Sequence, residues 1–305
     1  MSRTKLQVSQ LITFRALVRE RNFTRTAEAL RLTQPAVTQQ VRALERHFGV
    51  TLVDIVGRRM QLTAAGSYLA ERAGRLLDGI AGLERNMHEY AEAEIGELRL
   101  GATVTIGSYA LAGLIARFRA RHPRVALDIT VENTRRIAAK VVHGELSLAM
   151  VEGPLDDPAL EITAYQADAL TLVVPPAHRL ARRRRAVVAA ELAGEAFVAR
   201  EDGSGTRALF ESAFHRAGVE PRIVLALPTS EGIVQAVEAG LGIAVVSGLV
   251  TRAAVAGGRL REVAVTDLDL RRSFRLVRLK NVTPSPATLA FAAIALERND
   301  VRKPS

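Results

Sequence analysis

A capped helical turn near the N-terminus carries side chains that can bind DNA. Thr33 is placed to cap a helix, and Pro35 falls in its first turn, where a missing N–H costs nothing. Apolar residues at i, i+4, i+7 and i+11 mark the inward face of this helix: Val37, Val41, Leu44 and Phe48. The outward face carries amide, hydroxyl and guanidinium groups, at Gln34, Thr38, Gln39, Arg42 and Arg46. In the major groove glutamine can read an adenine edge bidentately, and arginine can bind guanine or phosphate. An ordinary helical hairpin with a solvated polar face shows the same pattern, so other features of the chain are needed to distinguish DNA binding from a solvated surface.

Two arginines follow at a predicted β-hairpin. Residues 51–63 predict a short two-stranded wing around Val56-Gly57, with Arg58 and Arg59 at its tip. Glycine beside arginines suits a loop pressed against phosphates, and a plain solvated hairpin explains the pattern equally well. The wing is therefore a second candidate contact to a DNA backbone.

Three strand-to-helix turns in the second part of the chain are candidates for binding an anion. The first, residues 101–107, contains Thr103, Thr105 and Ile106. The second, residues 201–207, contains Ser204, Gly205, Thr206 and Arg207, and the third, residues 228–232, contains Ser230. Free N–H groups at a helix start and nearby hydroxyl groups bind anions, and the helix dipole favours negative charge there. Each turn alone is also explained as an ordinary helix cap, but three that converge on one cleft indicate a small anionic effector.

The sequence offers little for catalysis or for a metal ion. It has no cysteine, and its six histidines lie far apart without a metal-binding spacing. No G-x-S-x-G sequence is present for a serine hydrolase. Residues 203–208 fit G-x-G-x-x-A, but the strand expected next, Ile223–Leu227, ends in Pro228 rather than in an acidic residue. We therefore predict no catalytic residue, no metal and no cofactor, with a dinucleotide enzyme as the alternative.

Positive charge is concentrated in the first fifth of the chain. The 305 residues have a net charge of +10, and residues 1–63 hold eleven basic and four acidic side chains, a net +7. A basic domain joined to a nearly neutral one indicates an anionic polymer as the first partner and another ligand for the second. The polar N-terminus lacks the apolar core of a secretion signal, and no apolar run could span a bilayer. We therefore predict a cytoplasmic protein without a membrane partner.

Helices must position the first group of candidate residues. A helix predicted over about Val8–Glu20 backs the helix pair at 23–48, and the wing completes a DNA-binding domain at residues 1–63. In residues 64–94 apolar side chains alternate spacings of four and three over three heptads: Leu69, Ala73, Leu76, Ile80, Leu83, Met87 and Tyr90. This spacing predicts a dimerising coiled-coil linker helix, with packing on the helix's own domain as the alternative. Two copies of a reading helix would bind a two-fold-related DNA site.

An α/β domain must position the second group. Strands and helices alternate from Leu98 to about Arg298 and predict such a domain at residues 95–305, with mainly parallel sheets. We interpret Asp168 as the crossing from one lobe to another and Leu268–Arg272 as the return. The predicted lobes are residues 97–167 with 269–305, and residues 168–268. Two lobes joined by two crossings form a cleft that strand ends and helix starts face.

With these residues in place, the chain resembles LysR-type transcriptional regulators over nearly its full length. The resemblance is specific in the first part, in Phe23-Thr24, Ala27, Leu30, the turn 33–38, Leu44-Glu45, Leu52 and Leu62-Thr63-Ala64-Ala65-Gly66. It implies a winged helix-turn-helix, a long linker helix and a two-lobed effector domain like periplasmic binding proteins. It also implies DNA contacts from Gln34, Pro35, Thr38 and Gln39 on the recognition helix, and from Arg58 in the wing.

The wing departs from the family pattern at one position. The family usually shows Leu-Phe-x-Arg, where this chain has Leu52-Val53-Asp54-Ile55. The phosphate contact of an arginine at position 55 is therefore missing. Either Arg59 substitutes for it or DNA binding is weaker.

Within the family, the second part is similar to regulators of sulfur assimilation and autotrophic carbon fixation. The similar segments are residues 103–107, 151–154, 203–207 and 238–243. The resemblance implies that the first hydroxyl turn, the second-lobe turn and residues near Glu152 hold the effector. An inorganic sulfur anion or a small acidic metabolite is the implied ligand class.

Together these features predict a sequence-specific DNA-binding transcriptional regulator, switched by a small anionic effector bound between two lobes. The predicted partners are double-stranded promoter DNA, a second copy in a homodimer, further copies in a homotetramer, and RNA polymerase. A cytoplasmic enzyme or solute-binding domain with an incidental basic helical hairpin is the rival interpretation, and a nucleoid-type packaging protein is a third.

Overall fold

The second and third helices begin at side chains that accept backbone N–H groups. The structure, a computed structural model, describes residues 5–56, 59–183 and 185–297. Its first compact unit ends at Glu89 and contains α1 (Val8–Glu20), α2 (Phe23–Leu30) and α3 (Gln34–Phe48). The Asn22 side chain accepts from Arg25 N to start α2, and the Thr33 hydroxyl accepts from Ala36 N at 3.3 Å to start α3. The helix pair and the cap at Thr33 confirm the prediction.

A small apolar core joins these helices. Val37 and Leu44 are fully buried, as their spacing predicts. Phe48 is 42% exposed, so its interpretation as a core residue is wrong. The reason is that α3 ends at Phe48, the backbone turns at Gly49 with φ 72°, and the returning Leu52 takes the core position beside Leu44.

The wing is a two-stranded hairpin of β1 (Val53–Val56) and β2 (Arg59–Leu62). Its antiparallel register pairs Ile55 with Met60 and Val56 with Arg59. Directly paired residues share a face and neighbours alternate, so Ile55 and Arg59 lie on opposite faces of the hairpin.

The long helix α4 (Ala64–Ala91) uses its predicted heptad seam in two ways. Ala73 is buried in the core of the first unit, and Leu69 and Ile80 pack against that core. Leu76, Leu83 and Met87 are exposed instead. One side of the seam is thus used within the unit, and the other side is open to a partner.

Two lobes make up the second unit, which begins at Tyr90. The first lobe contains β3 (Gly96–Thr103), α5 (Val104–Tyr109), α6 (Leu111–Arg121), β4 (Val125–Glu132), α7 (Thr134–Val142), β5 (Leu148–Val151) and α11 (Pro286–Leu296). Strand β3 pairs in parallel with both β4 and β5. The second lobe contains β7 (Ala196–Arg200), α8 (Gly205–Arg216), β8 (Arg222–Leu227), α9 (Ser230–Glu238), β9 (Ala244–Ser247), α10 (Gly248–Ala256) and β10 (Arg261–Val263). Each lobe has an aromatic-rich core, with Phe118 and Phe291 in the first and Phe197 and Phe214 in the second.

Two long strands connect the lobes. β6 (Leu160–Val174) and β11 (Arg271–Leu279) pair antiparallel, and the register places Asp168 opposite Arg272. Beyond that point β6 pairs antiparallel with β9 and β10. The expectation of mainly parallel sheets is therefore wrong and the sheets are mixed, because a chain that enters a lobe and returns beside itself must run in opposite directions.

Some helix and strand ends differ from the sequence interpretation. Helix α10 is not predicted, because its small and apolar residues continue the apolar run of β9. Strand β6 begins at Leu160 rather than at Ala169. Helix α11 ends at Leu296, and its predicted end at Arg298 lies outside the described residues. In the described part of the chain, no helix combines the length and the apolar character needed to cross a bilayer.

Candidate functional site

Helix α3 presents a polar face to solvent. Gln34, Pro35, Gln39 and Arg42 are exposed, and Thr38 is half-buried. The Thr38 hydroxyl donates to the Gln34 carbonyl oxygen at 3.0 Å and accepts from the Gln34 side-chain nitrogen at 3.3 Å. These contacts order the first turn of α3, the part of a recognition helix that reaches base edges.

The wing adds a further basic side chain. Arg59 is exposed at the start of β2, whereas Arg58 lies outside the described residues. Because Arg59 and Ile55 face opposite sides of the hairpin, Arg59 does not occupy the place of an arginine at position 55. The strand register therefore argues against the expectation that Arg59 supplies the phosphate contact of the missing arginine at position 55.

A buried chain of polar contacts joins the two lobes at the crossing strands. The Thr103 hydroxyl of the first lobe donates to Glu152 Oε2 at 2.6 Å. Arg272 Nη1 donates to the Thr206 hydroxyl of the second lobe at 2.9 Å and lies 3.9 Å from Glu152 Oε1. Arg272 Nε donates to Asp168 Oδ2 at 2.7 Å. Two of the three predicted turns are therefore linked through Glu152 and Arg272: Thr103 bonds to Glu152, and Thr206 bonds to Arg272.

The lobes also touch through their backbones. A Cβ at Gly205 would lie 1.9 Å from the Glu152 carbonyl oxygen. One at Gly153, where φ is +88°, would lie 2.5 Å from Gly205 Cα. The Thr134 hydroxyl donates to that Glu152 oxygen at 3.0 Å and accepts the Gly205 N–H at 3.1 Å. Lobes this close together require glycine at both positions.

Two further polar contacts connect the first lobe to the second. Arg135 of α7 donates to Asp202, ahead of α8, at 2.6 and 3.2 Å. The hydrogen bond and the charge of Arg135 hold the pKa of the Asp202 carboxyl below its usual range. On α5, burial and a hydrogen bond to the Glu231 carboxylate raise the pKa of Tyr109 to about 12.

A groove beside the glycine contact contains part of the second-lobe turn. Ser204, Gly205 and Arg207 line this groove, which has a volume of about 560 Å³ and lies between α7 and α8. Ser204 is only 3% exposed. The Arg207 side chain donates to Glu211 at 2.8 Å, so its charge is partly engaged within α8.

The other predicted effector residues are buried in different surroundings. The Ser230 hydroxyl accepts a hydrogen bond from Arg200 at 3.3 Å. Ile106 packs in the core of the first lobe, where its side chain is fully buried. The Thr105 hydroxyl is buried and has no hydrogen-bond partner among the described residues. Within the same ranges, no group of three or more His, Cys, Asp or Glu side chains could hold a metal ion.

Sequence reasoning assigned Arg272 and Asp168 to the crossings between lobes but to no site. Their side chains are 3% and 5% exposed, so both charges are buried. A signal for this role exists in the sequence, because each is a charged residue at a predicted crossing and crossings lie at the floor of an interlobe cleft. No comparable feature of the sequence predicts the contact between Tyr109 and Glu231.

The fold and the site define a class of protein, in which a winged helix-turn-helix is joined through a long helix to a two-lobed ligand-binding domain. Residues 8–67 match the family described as "Bacterial regulatory helix-turn-helix protein, lysR family", and residues 91–300 match "LysR substrate binding domain". The chain therefore belongs to the LysR family of transcriptional regulators. It is a DNA-binding regulator with an effector domain and not an enzyme.

Relatives and solved structures agree with this family. The HTH-type transcriptional regulator CysL of Bacillus subtilis (strain 168) is 30% identical over 88% of this chain and 89% of its own length. The RuBisCO operon transcriptional regulator of Allochromatium vinosum is 32% identical over 95% and 96%, respectively. Full-length CbnR complexed with its target DNA has a TM-score of 0.67 at 22% identity, covering 96% of this chain and 99% of that one.

A further solved structure bears on the effector domain. The Synechocystis PCC6803 CcmR regulatory domain in complex with 2-PG has a TM-score of 0.62 at 27% identity, covering 66% of this chain and 96% of that domain. Effector domains of this family thus bind small molecules. The predicted family, fold class and effector-dependent regulatory function are confirmed.

Proposed function

We propose that this regulator reads promoter DNA through α3 and the wing, and that a small anionic effector bound between the lobes switches it. The observation that supports the effector site is the position of Arg272. One buried guanidinium contacts both lobes, and its Nη2 has no hydrogen-bond partner among the described residues. An anion that accepts from this N–H group would be held at the junction of the lobes.

On the DNA side, Gln34 and Gln39 read base edges from the exposed first turns of α3. Thr38 and Pro35 shape the N-terminal turn that approaches the groove. Arg42, together with Arg58 and Arg59 of the wing, binds phosphates and contributes affinity rather than sequence preference.

On the effector side, we assign residues of both lobes to the proposed site. Thr103, Thr105, Ile106 and Glu152 belong to the first lobe, and Ser204, Gly205, Thr206, Arg207 and Ser230 belong to the second. A sulfur oxyanion or a small acidic metabolite is the proposed ligand class. The name of the Allochromatium vinosum relative supports a role in carbon fixation, and the CcmR complex with 2-PG supports a small ligand.

Assembly of two chains through α4 would present α3 in duplicate. The exposed positions of the heptad seam, Leu76, Leu83 and Met87, support this homodimer. We further propose that effector domains associate dimers into a homotetramer, and that the assembled protein contacts RNA polymerase at the promoter.

The switch requires a ligand that prefers one lobe arrangement. Effector binding would favour closed lobes and so change the relative placement of the DNA-binding pairs in the oligomer. A ligand shifts such an equilibrium only by its difference in affinity for the two arrangements, because equal binding to both shifts nothing.

Footprinting on the DNA upstream of the protein's own gene tests this function. Full-length protein is titrated onto that DNA and onto random duplex, alone and with sulfate, thiosulfate or small carboxylates. The proposal expects a protected two-fold-related site on the upstream DNA and a changed footprint with at least one anion. Equal protection of every duplex, unchanged by all the anions, would contradict it.

A further inference from the structure

The buried charges at the lobe junction do not balance. Glu152 and Asp168 contribute two carboxylates and Arg272 contributes one guanidinium, and all three side chains are 5% exposed or less. The Arg272 guanidinium is closest to Asp168, at 2.7 Å, and Glu152 is more distant at 3.9 Å. The junction therefore carries an excess of negative charge before any ligand binds.

Hydrogen bonding at the junction is also incomplete. Arg272 Nη2 is buried at the junction without a partner among the described residues, and the Thr105 hydroxyl on α5 of the first lobe is likewise buried and unpartnered. Buried polar groups are normally paired, so these atoms indicate a ligand that supplies an acceptor oxygen for Nη2. Glu152 accepts one hydrogen bond from Thr103 at Oε2, while its Oε1 lies beyond hydrogen-bond distance of Arg272. A ligand that fits both sets of atoms carries an acidic group and a hydrogen-bond donor.

From this mismatch we infer that Glu152 is a specificity-determining residue, which selects small acids carrying a hydroxyl or ammonium group beside the acidic group and rejects bare oxyanions. This inference rests on the proposed interlobe effector site and decides between its two ligand classes. The acidic group binds Arg272 Nη2, and the neighbouring O–H or N–H donates to Glu152 Oε1. Sulfate at neutral pH is selected against at this carboxylate.

The selection follows from like-charge repulsion and from unpaired acceptors. A fully ionised oxyanion has only acceptor oxygens, so it faces Glu152 without a hydrogen bond and with the same sign of charge. A hydroxy acid replaces that repulsion with a donated hydrogen bond. Sites built to bind a ligand hydroxyl discriminate strongly against an analogue that lacks it, because their own polar groups are then left unpaired.

Three probes test the inference on the full-length protein by calorimetric titration: sulfate, lactate, and propionate, which is lactate without its hydroxyl. We expect the wild type to bind lactate at least tenfold more tightly than propionate, a difference of about 1.4 kcal/mol. In Glu152→Gln the charge is removed and an N–H donor is added, so sulfate should bind at least tenfold more tightly than it binds the wild type. The lactate preference should fall in the same variant.

Glu161→Gln is the control for this charge removal, because Glu161 lies on β6 (the strand that carries Asp168) and pairs with Arg278 at 2.7 Å, outside the junction. It should leave all three affinities unchanged. The absence of a sulfate gain in Glu152→Gln overturns the inference, whether or not the wild type binds any probe. A wild type that binds propionate as tightly as lactate overturns it as well.

A second pair of variants separates failure of the inference from failure of the proposed site. Thr105→Val removes the unpartnered hydroxyl without changing its volume, and Arg272→Met removes the guanidinium. Both should weaken every probe that binds at the junction. Probe binding that both variants leave intact occurs elsewhere and contradicts the interlobe site itself, while retained DNA binding in Thr105→Val confirms that this variant is folded.

Discussion

At the scale of single residues, Arg272 is a buried charge in the effector domain with partners on β6 and in the second lobe. Its guanidinium donates to Asp168 at 2.7 Å and to Thr206 at 2.9 Å, and its side chain is 3% exposed. Taking a charge out of water is costly unless its partners remain in place. The same buried group therefore stabilises the crossing strands and, in the proposed site, donates to the ligand.

Arg272→Met should destabilise the effector domain by about 3–5 kcal/mol, because it leaves two buried carboxylates without their cation. Chemical unfolding of the full-length protein measures the change. Arg278→Met is the control, since Arg278 and Glu161 form a partly exposed pair that should contribute less than about 1 kcal/mol. Similar losses of unfolding free energy in the two variants would contradict the expected cost of leaving the buried carboxylates without Arg272.

Gln34→Ala tests base reading on α3. The exposed Gln34 amide is expected to contact a base edge, so its loss should cost about 1–3 kcal/mol on the specific site and relax base preference there. Binding to specific and random duplexes by gel shift measures both effects. Gln166→Ala, in the second unit, should change neither affinity. An equal loss on both duplexes for Gln34→Ala would assign this residue to the backbone rather than to base reading.

The sequence predicts residues of the site only where their function follows from local structure. Thr103 and Thr206 are identified because each lies where a strand passes into a helix. Arg272 and Asp168 are not assigned to the site, because 104 residues separate them in the chain and only the register of β6 and β11 brings them together. Long-range pairing of this kind leaves no periodic signal in a single sequence.

At the scale of elements, the backbone of the β5–β6 connection lies against the start of α8, and we expect this contact to limit how far the lobes close. The Glu152 carbonyl oxygen occupies the space that a side chain at Gly205 would need. This contact is between backbones, so neither side can yield by changing a rotamer. Small changes at this point therefore act on the whole lobe arrangement.

Gly205→Ala should hold the lobes apart and destabilise the closed arrangement by about 1–3 kcal/mol, as overpacking does. Once the isolated effector domain is shown to fold, small-angle scattering should give a larger radius of gyration for the variant than for the wild type. Unfolding experiments should measure the loss in stability. Gly113→Ala is the control, because no atom lies within 4 Å of its Cβ position on α6. It should be neutral or stabilising. Unchanged scattering in Gly205→Ala would contradict a contact that limits closure.

The Arg135–Asp202 bridge predicts how lobe closure depends on pH. Arg135 lowers the pKa of Asp202, so the stabilising contribution is present above the carboxyl's ordinary pKa and is lost as the pH falls through the lowered value. Closure should therefore be constant near neutral pH and weaken only in strong acid. Scattering of wild type and Asp202→Asn across a pH series checks this, since the variant should lack the acid transition. A transition of equal size in both proteins would assign it to other groups.

The sequence predicts helices and strands well where apolar periodicity is strong, and poorly where pairing with a distant strand defines the element. Helices α1 to α4 follow from heptad-like spacing and caps, and their observed bounds are close to the predicted ones. The first half of β6 is missed because polar residues and alanines interrupt its apolar alternation; pairing with β11 defines it. The antiparallel direction of the crossings likewise depends on the path of the whole chain.

At the scale of the whole molecule, the proposed function depends on presenting α3 twice. The described surface of α4 leaves Leu76, Leu83 and Met87 exposed, an apolar stripe that a single chain does not cover. In the proposed homodimer, pairing of such stripes between two chains would bury them from water and would place two reading helices on one DNA site. The charge distribution agrees, because the net +7 of residues 1–63 is doubled in a dimer.

Leu83→Glu should dissociate the dimer, because it places two like charges at the centre of the paired stripes. Sedimentation velocity should show a lower mass at micromolar concentration, and affinity for the two-fold-related DNA site should fall while affinity for random duplex changes much less. Arg85→Glu is the control, since residue 85 lies on the opposite side of the heptad from Leu83; it should keep the wild-type mass. A wild-type protein that is already a single chain, and that binds every duplex with equal affinity, would contradict both the paired helix and the reading function that depends on it.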